Sequence, residues 1–485
     1  MFCYTLRMQR IWFTKKRFVI HCIFILLSLF SAYILFYRLG VAPLDNWDEA
    51  WYGDITKNML ATNDYIIPHW NKAVLIDKAP FYMWSSAFFS KIFGLTELSM
   101  RLTSAVSGFG IIVLVMWYTY TKYGLLPSLI AYSSIIFNNL FISRSRSGNL
   151  DSLTTLLVFV SYFVMISKYK YRLLLLGFLF AIMYLTRTSF MIFPLSIFGI
   201  HEIFFKRDEF KKNVKFYLLF TLTFIVFSGW WVLLGYQREG MPFINYYIFN
   251  SDQSTVSGAS LSLFKLDYFY YSYYSLQRRL FFLFTAGLIL LIPKLKKPEY
   301  LPQFLFAIAL LILLSFSKRT NNWYLMPSLP FWSLVIAYAV YKLITIFKPL
   351  KIMPILLFIA VSYTSYRTFT QNIIPILYTS SARGEAASGK LIDALADKNE
   401  TIVRLDHLYP TLIYYSNRKV LVSTLDASTG TYFLSREDLL DLIIKKKIQW
   451  ASGQKEVIDK FLTDNNDLQY ERIEINHDEF ILKFL

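Results

Sequence analysis

From Phe18 to about Arg367 the chain alternates long apolar runs with short polar breaks. Crossing the hydrocarbon core of a bilayer takes about 20 apolar residues in helical form. By that measure the runs at 18–36, 101–121, 124–142, 151–167, 173–188, 190–205, 215–235, 279–293, 301–317, 323–346 and 351–367 predict about 11 transmembrane helices. The first run follows Arg7, Arg10, Lys15, Lys16 and Arg17. It is long enough to span and has no small-residue cleavage site, so it reads as an uncleaved first helix.

The breaks carry the orientation. With the basic N-terminus in the cytoplasm, the turns after even-numbered spans should also be cytoplasmic and basic. The later ones are: Lys168 to Arg172, Lys206 to Lys215, Lys294 to Lys297, and Lys348 with Lys351. The turn at 121–124 is short and carries Lys122. The segment 37–100, the loop 236–278 and everything after about 370 then lie outside. In the loop, Tyr268, Tyr270, Tyr271, Tyr273 and Tyr274 read as an interfacial belt. No internal repeat is visible, which argues against an inverted-repeat transporter.

Past residue 370 the hydropathy falls and short soluble elements appear. Residues 401–405 and 419–422 predict strands, and 435–446 and 454–462 predict helices. The expected architecture is mainly α: a transmembrane domain over 1–369 and a small extracytoplasmic α/β domain over 370–485. That small domain shows no glycine-rich phosphate loop and reads as a scaffold.

Composition agrees. The chain is 55% hydrophobic and 19% aromatic, which suits a membrane protein. Its net charge of +18 lies between apolar runs, where it orients helices, so no nucleic-acid partner is expected. Cys3 and Cys22 form no disulfide framework.

Candidate chemistry concentrates on the outer side. Trp47, Trp51, Ile55 and Met59 recur every fourth residue, with Asp48, Tyr52 and Thr56 on the neighbouring stripe. After Pro80 a second stripe runs through Phe81, Trp84, Phe88 and Ile92. Both predict helices lying in the membrane interface. Asp48 and Glu49 open the first of them. Taken alone, Asp48 is an acid favoured by a helix N-terminus. Asp151, in Gly148-Asn-Leu-Asp151, opens the fourth span, where an acid is an ordinary capping residue. Lys78 follows on the same side, and Arg144, Arg146, Lys318 and Arg319 are basic residues in outward breaks. Arg187 sits inside the apolar stretch Leu185–Ser189. Singly, each cation can snorkel. Together, cations beside two carboxylates point to an anionic, membrane-borne substrate, with a lipid phosphate as the natural candidate.

The ordered series Asp48-Glu-Ala-Trp-Tyr52, Asn58-Met-Leu60, Tyr65-Ile-Ile-Pro-His69, Asp77-Lys-Ala-Pro80, Phe93-Gly94 and Arg101-Leu102 resembles the first outer loop of the GT-C glycosyltransferases. The branch is that of the protein O-mannosyltransferases and bacterial aminoarabinose (lipid A) transferases. The likeness continues through Asp151 and Tyr324-Leu-Met-Pro327, and weakly through Tyr409-Pro410 and Tyr414-Tyr415. It implies transfer of a sugar from a polyprenyl-phosphate donor on the outer side of the membrane. Asp48 takes the place of the family's catalytic aspartate, with Glu49 beside it. Asp151 matches a second acidic position, and Lys78 a lysine that holds the donor phosphate. Tyr52, Arg146, Lys318, Arg319 and Tyr324 complete the expected binding set. Trp51 stands where the aminoarabinose transferases have an arginine, and Arg146 or Arg319 is the candidate replacement.

A glycosyl phosphate carries its own leaving group, so the reaction needs cations for the departing phosphate and a base for the acceptor hydroxyl. A single displacement inverts the anomeric centre. No obligatory cofactor is expected; His69 and the acidic loop at Asp77 offer a place for a divalent ion, although a lone histidine is more often a packing residue. The alternatives are a lipid-linked glycan flippase, which would place charges at mid-bilayer depth in several helices, and an oligosaccharide ligase of the same fold. Lipid A, an envelope glycan and a protein hydroxyl stay open as acceptors. Richness in Lys, Asn, Ile and Phe fits an AT-rich bacterial genome, hence an undecaprenyl carrier and a bacterial inner membrane with the C-terminal domain outside.

Overall fold

The structure is a computed structural model and describes residues 2–76, 78–207, 210–249, 264–317, 321–347, 353–378, 384–423 and 432–485. Asp77, Lys318 and Arg319, with the turn at Lys348 and Lys351, lie outside the described residues. The chain divides into two compact units. One comprises 1–39 with 104–378, and the other 40–103 with 379–485. This division differs from the expected boundary at 370. Residues 40–103 group with the C-terminal residues; Ile55 and Met59 of the first loop helix are buried, whereas Phe88 and Ile92 of the second are exposed.

The first unit is helical. Four of its helical stretches are long and apolar enough to cross a membrane: Arg17–Phe36, Glu97–Tyr123, Val214–Glu239 and Asn322–Ile346. The second of these begins in the other unit. Two bent pairs raise the number to six among the described residues: Leu125–Ile136 with Asn139–Arg146, and Asp267–Ser275 with Arg279–Lys294. The expected 11 is not reached on that criterion, because Leu150–Ile166, Arg172–Thr186, Ser189–Phe205 and Tyr300–Leu314 fall short of the ~20 residues that cross unaided. Each nevertheless coincides with an expected run. Large apolar residues such as Leu26, Leu29, Leu218, Leu222, Ile225 and Leu233 point outward, as lipid-facing side chains do. The chain is a multi-pass membrane protein.

One buried charged group inside this unit is closely paired. Arg172 donates through two nitrogens to Glu202, at 2.9 and 2.8 Å, and Tyr217 donates to the same carboxylate at 2.5 Å. Small residues let helices close up. A Cβ on Gly177 would collide with the carbonyl of Phe220, so glycine there permits the contact between Arg172–Thr186 and Phe210–Glu239.

The second unit is α/β. Its main sheet comprises β3 (Thr401–Arg404), β4 (Lys419–Val422), β5 (Trp450–Gln454), β6 (Tyr470–Glu474) and β7 (Glu479–Phe484), in the order β4-β3-β5-β7-β6. The pairs β3/β4 and β3/β5 are parallel, and β5/β7 and β6/β7 antiparallel. Helices Arg436–Ile444 and Lys455–Thr463 bury Leu439, Ile443, Ile458, Phe461 and Leu462 in one cluster with Val403, Ala451 and Leu482 of the strands. The amphipathic spacing of those sequences requires such a face. The loop 40–103 adds helices Asp48–Thr62 and Phe81–Phe93 and a hairpin of β1 (His69–Trp70) and β2 (Ala73–Val74).

The hairpin turn is Asn71-Lys72, with φ of 51° and 63°. Two successive positive φ values suit a two-residue turn that follows the strand twist. The Asn71 amide then pairs with edge strand β4. Its Nδ2 donates to the Val420 carbonyl at 2.8 Å, and its Oδ1 accepts from the Val420 N–H at 2.8 Å. One side chain thus satisfies both outward backbone groups of an edge residue.

Candidate active site

The expected site residues fall in both units. In the loop unit, Asp48 is the first residue of helix Asp48–Thr62, preceded by Trp47 at φ 64°, a strained conformation for a bulky residue. Asp48 is partly exposed, whereas the rest of its helix is largely buried. Three contacts hold the start of the helix. Arg101 donates from Nε to Glu49 Oε1 at 2.8 Å and from Nη2 to Oε2 at 2.7 Å. The same guanidinium donates to the carbonyls of Ala42 and Pro43, at 2.8 and 2.7 Å. Tyr415 O–H accepts from Leu44 N–H at 2.9 Å and donates to Glu97 at 2.8 Å.

Glu49, expected among the catalytic residues, is only 2% exposed, and both its oxygens are bonded. The structure gives it a positioning role instead: it ties Arg101 and the Asp45 N–H to the helix that carries Asp48. Tyr52 is buried with its ring 5.7 Å from that of Tyr82. Lys78 is partly buried, its ammonium 4.7 Å from the centroid of Trp51, and Trp51 packs on Trp70 at 5.4 Å. Trp51 therefore serves as a cation–π floor for Lys78. His69 has its Nδ1 2.9 Å from the Ile67 carbonyl. Among the described residues no three His, Cys, Asp or Glu side chains converge as metal ligands.

One turn further along the same helix lies a group that sequence reading passed over. Asp54 is buried, accepting from Asn58 Nδ2 at 3.1 Å and from Asn71 N–H at 3.0 Å. Burial pushes its pKa up; the Asn71 N–H, Lys57, Lys72 and Asn58 counter this only in part.

In the spanning unit the centre is Asp151, near the start of helix Leu150–Ile166. Asn149 caps that helix, accepting from the Asp151 N–H at 2.9 Å. The carboxylate is 3% exposed and meets two guanidiniums. Arg144 Nε and Nη2 each lie 2.6 Å from Oδ2, and Arg187 Nη1 lies 3.2 Å from Oδ1. Arg144 stacks on Trp323 at 5.3 Å, and Arg187 on Tyr324 at 5.1 Å and Phe190 at 5.3 Å. The structure thus joins Asp151 to Tyr324 through Arg187. The signal for Arg187 was a charge inside an apolar stretch, and for Arg144 a cation in an outward break. Arg146 takes a different part. It donates to the carbonyls of Ile34 and Tyr37, at 2.5 and 2.9 Å, and so satisfies the end of the first span. Its guanidinium thus binds backbone carbonyls at a helix end.

The architecture and these sites define a class: a multi-pass helical membrane protein with the GT-C fold. Comparisons with known proteins support it. Residues 77–232 match the family described as dolichyl-phosphate-mannose-protein mannosyltransferase. An uncharacterized protein of Aquifex aeolicus (strain VF5) is 24% identical over 486 residues, covering 90% of this chain and 96% of that one. The undecaprenyl phosphate-alpha-4-amino-4-deoxy-L-arabinose arabinosyl transferase 1 of Pseudomonas fluorescens (strain Pf0-1) is 30% identical over 141 residues, 28% of this chain and 24% of that one. The crystal structure of ArnT from Cupriavidus metallidurans bound to undecaprenyl phosphate superimposes with a TM-score of 0.72 at 14% identity, covering 95% of this chain and 97% of that one. The chain therefore shares the fold of ArnT and resembles the GT-C polyprenyl-phosphate-sugar glycosyltransferases, as its outer-loop motifs imply.

Two predictions follow from the loop unit's geometry. Replacing Arg101 with Met leaves the Glu49 carboxylate buried without its cation, which should destabilise the purified protein by about 3–5 kcal/mol. Thermal unfolding in detergent measures this; a melting point equal to wild type would show that the pair does not hold the loop. For Asp54 the raised folded pKa favours the protonated form, so its contribution to stability is fullest below about pH 4 and declines as pH rises through the folded pKa. Asp54→Asn cannot ionise. Its melting point relative to wild type should therefore rise as pH increases from about 4 through the folded pKa of Asp54, and a difference independent of pH would contradict the assignment.

Proposed function

We propose that this protein is an inverting glycosyltransferase of a bacterial inner membrane. It moves a sugar from a polyprenyl phosphate, undecaprenyl by composition, to a hydroxyl or phosphate of an extracytoplasmic acceptor. The observation that carries this reading is Asp48: a partly exposed carboxylate at the head of a helix that is otherwise buried and is fixed by the Arg101–Glu49 pair. The fold shared with ArnT, whose structure holds undecaprenyl phosphate, supports the choice of donor.

In this mechanism Asp48 accepts the proton of the acceptor O–H as the oxygen attacks the anomeric carbon. The bond from that carbon to the phosphate oxygen breaks, and the phosphate leaves with the electron pair. Lys78, held over Trp51, neutralises the charge that develops there. Because the leaving group is already a good one, no general acid and no obligatory cofactor is assigned. Attack opposite the leaving group inverts the configuration. The N-terminus is assigned to the cytoplasm, and loop 40–103 with residues 379–485 to the outside, from the basic breaks. Lipid A, an envelope glycan or a protein can present the acceptor group.

The test is mass spectrometry of envelope lipids and glycoproteins from cells with and without the gene and with Asp48→Asn. Loss of one single-sugar mass difference in both deletion and variant is expected, with transfer falling about 100-fold or more while the variant still folds. A wild-type product pattern in the variant would sink the base assignment. Accumulation of a lipid-linked intermediate on the inner face in the deletion strain would point to transport instead.

A further inference from the structure

The chain reaches Asp48 through a kink. Trp47 has φ 64° and ψ −116°, the backbone of the first central residue of a type II′ turn, a place that glycine ordinarily fills. Trp47 is 58% exposed, so packing of its own side chain does little to hold it there. A residue in so sparsely populated a conformation persists only where its surroundings fix the chain around it. On the helix side, Glu49 is fixed by Arg101.

On the incoming side the hold comes from helix Pro410–Ser416. Leu44 is fully buried, and side chains of that helix meet both its backbone groups. The Leu44 N–H donates to Tyr415 Oη at 2.9 Å, and the Leu44 carbonyl accepts from Thr411 Oγ1 at 3.2 Å. Thr411 and Tyr415 are four residues apart and so share one helix face. The Thr411 N–H donates in turn to Asn46 Oδ1 at 3.2 Å. That N–H is one of the group at a helix start that has no acceptor within the helix, and the cap residue Tyr409 offers no side-chain bond. Asn46 therefore caps this helix from a segment 365 residues away. Thr411, itself 1% exposed, thus grips the residues on both sides of Asp45. Asp45 closes onto the next helix: its N–H donates to Glu49 at 2.8 Å, and its carbonyl accepts from the Ala50 N–H at 3.1 Å. Residues 44–46 are all tied, and Trp47 is the joint between them and Asp48.

We propose that Thr411, with Asn46 and Tyr415, positions Asp48 for the reaction by holding the kink at Trp47. The proposal rests on the reading of Asp48 as the base, and it makes the C-terminal α/β residues part of the machinery and not only a scaffold. Without the Thr411 hydroxyl the buried Leu44 carbonyl loses its donor. Trp47 then relaxes toward an ordinary negative φ, and rotation at that joint swings Asp48 away from the acceptor oxygen. A misplacement of about 1 Å is enough to cost about 100-fold in rate.

The experiment compares wild type, Thr411→Val, Thr411→Ser, Trp47→Gly and the double variant Trp47→Gly/Thr411→Val. Amide hydrogen exchange over residues 44–50 and the melting point are measured on the purified full-length protein in detergent. The rate at which the single-sugar product accumulates is measured in cells at equal membrane abundance. Thr411→Val should speed exchange over 44–50 and slow product formation about 10- to 100-fold. Thr411→Ser, which keeps the hydroxyl, should stay within about threefold of wild type and preserves the test if Thr411→Val folds poorly. Trp47→Gly removes the strain, so in that background Thr411→Val should cost no more than about threefold. This dependence of one position on the other is the signature. A Thr411 that only stabilises the fold would lower the melting point and the product by the same factor in both backgrounds, and that result overturns the proposal. Exchange over 44–50 that is unchanged by Thr411→Val overturns it as well. If wild-type cells form no sugar product while that exchange depends on Thr411, the transferase reading fails and the clamp stands. If product forms and Thr411→Val matches wild type, the positioning role fails and the transferase reading stands.

Discussion

The arrangement of the outer loop depends on one buried ion pair, Arg101 with Glu49. A carboxylate and a guanidinium removed from water are tolerable only when their hydrogen bonds are satisfied. Here Glu49 also accepts from Asp45 N–H, and Arg101 also donates to the carbonyls of Ala42 and Pro43. The network draws the incoming chain, the first turn of helix Asp48–Thr62 and the start of helix Glu97–Tyr123 to one point. Asp48 is thereby set at a fixed place while remaining partly open to solvent. Tyr415 and the Asn71 hairpin extend the anchoring to the α/β sheet, so the C-terminal residues act as the support of the loop.

In the spanning unit the ordering principle is the helix end. Asp151 lies where a helix N-terminus favours an anion, and Arg187 where a C-terminus favours a cation. Antiparallel neighbours bring these opposite ends together, so an ion pair at one end of the bundle follows from topology. Arg144 adds a second guanidinium to the same carboxylate. Arg172 with Glu202 shows the contrasting case: the carboxylate meets one bidentate arginine, a tyrosine and His201 Nδ1.

Much of this was legible in the sequence. The apolar runs coincide with helices, and 401–405 and 419–422 with β3 and β4, because hydrophobic periodicity reports burial directly. Asp48 and Asp151 were visible as acids at helix starts. What pattern reading could not supply was partnership. Glu49 looked equivalent to its neighbour Asp48, yet helix geometry turns one outward and the other onto Arg101. Arg146 and Arg144, two residues apart, face different partners for the same reason. The division of the molecule was likewise hidden, since the stripe Trp47, Trp51, Ile55, Met59 fits a membrane interface as well as a protein surface. In the structure Ile55 and Met59 are buried and Trp47 is exposed.

The central claim is a single displacement in which Asp48 activates the acceptor. The measurement that tests it most directly is the anomeric configuration of the transferred sugar relative to its lipid-phosphate donor, determined by NMR on purified product. The account predicts inversion. Retention would require a covalent or two-step route for which Asp48 as general base gives no explanation, and it would contradict the mechanism.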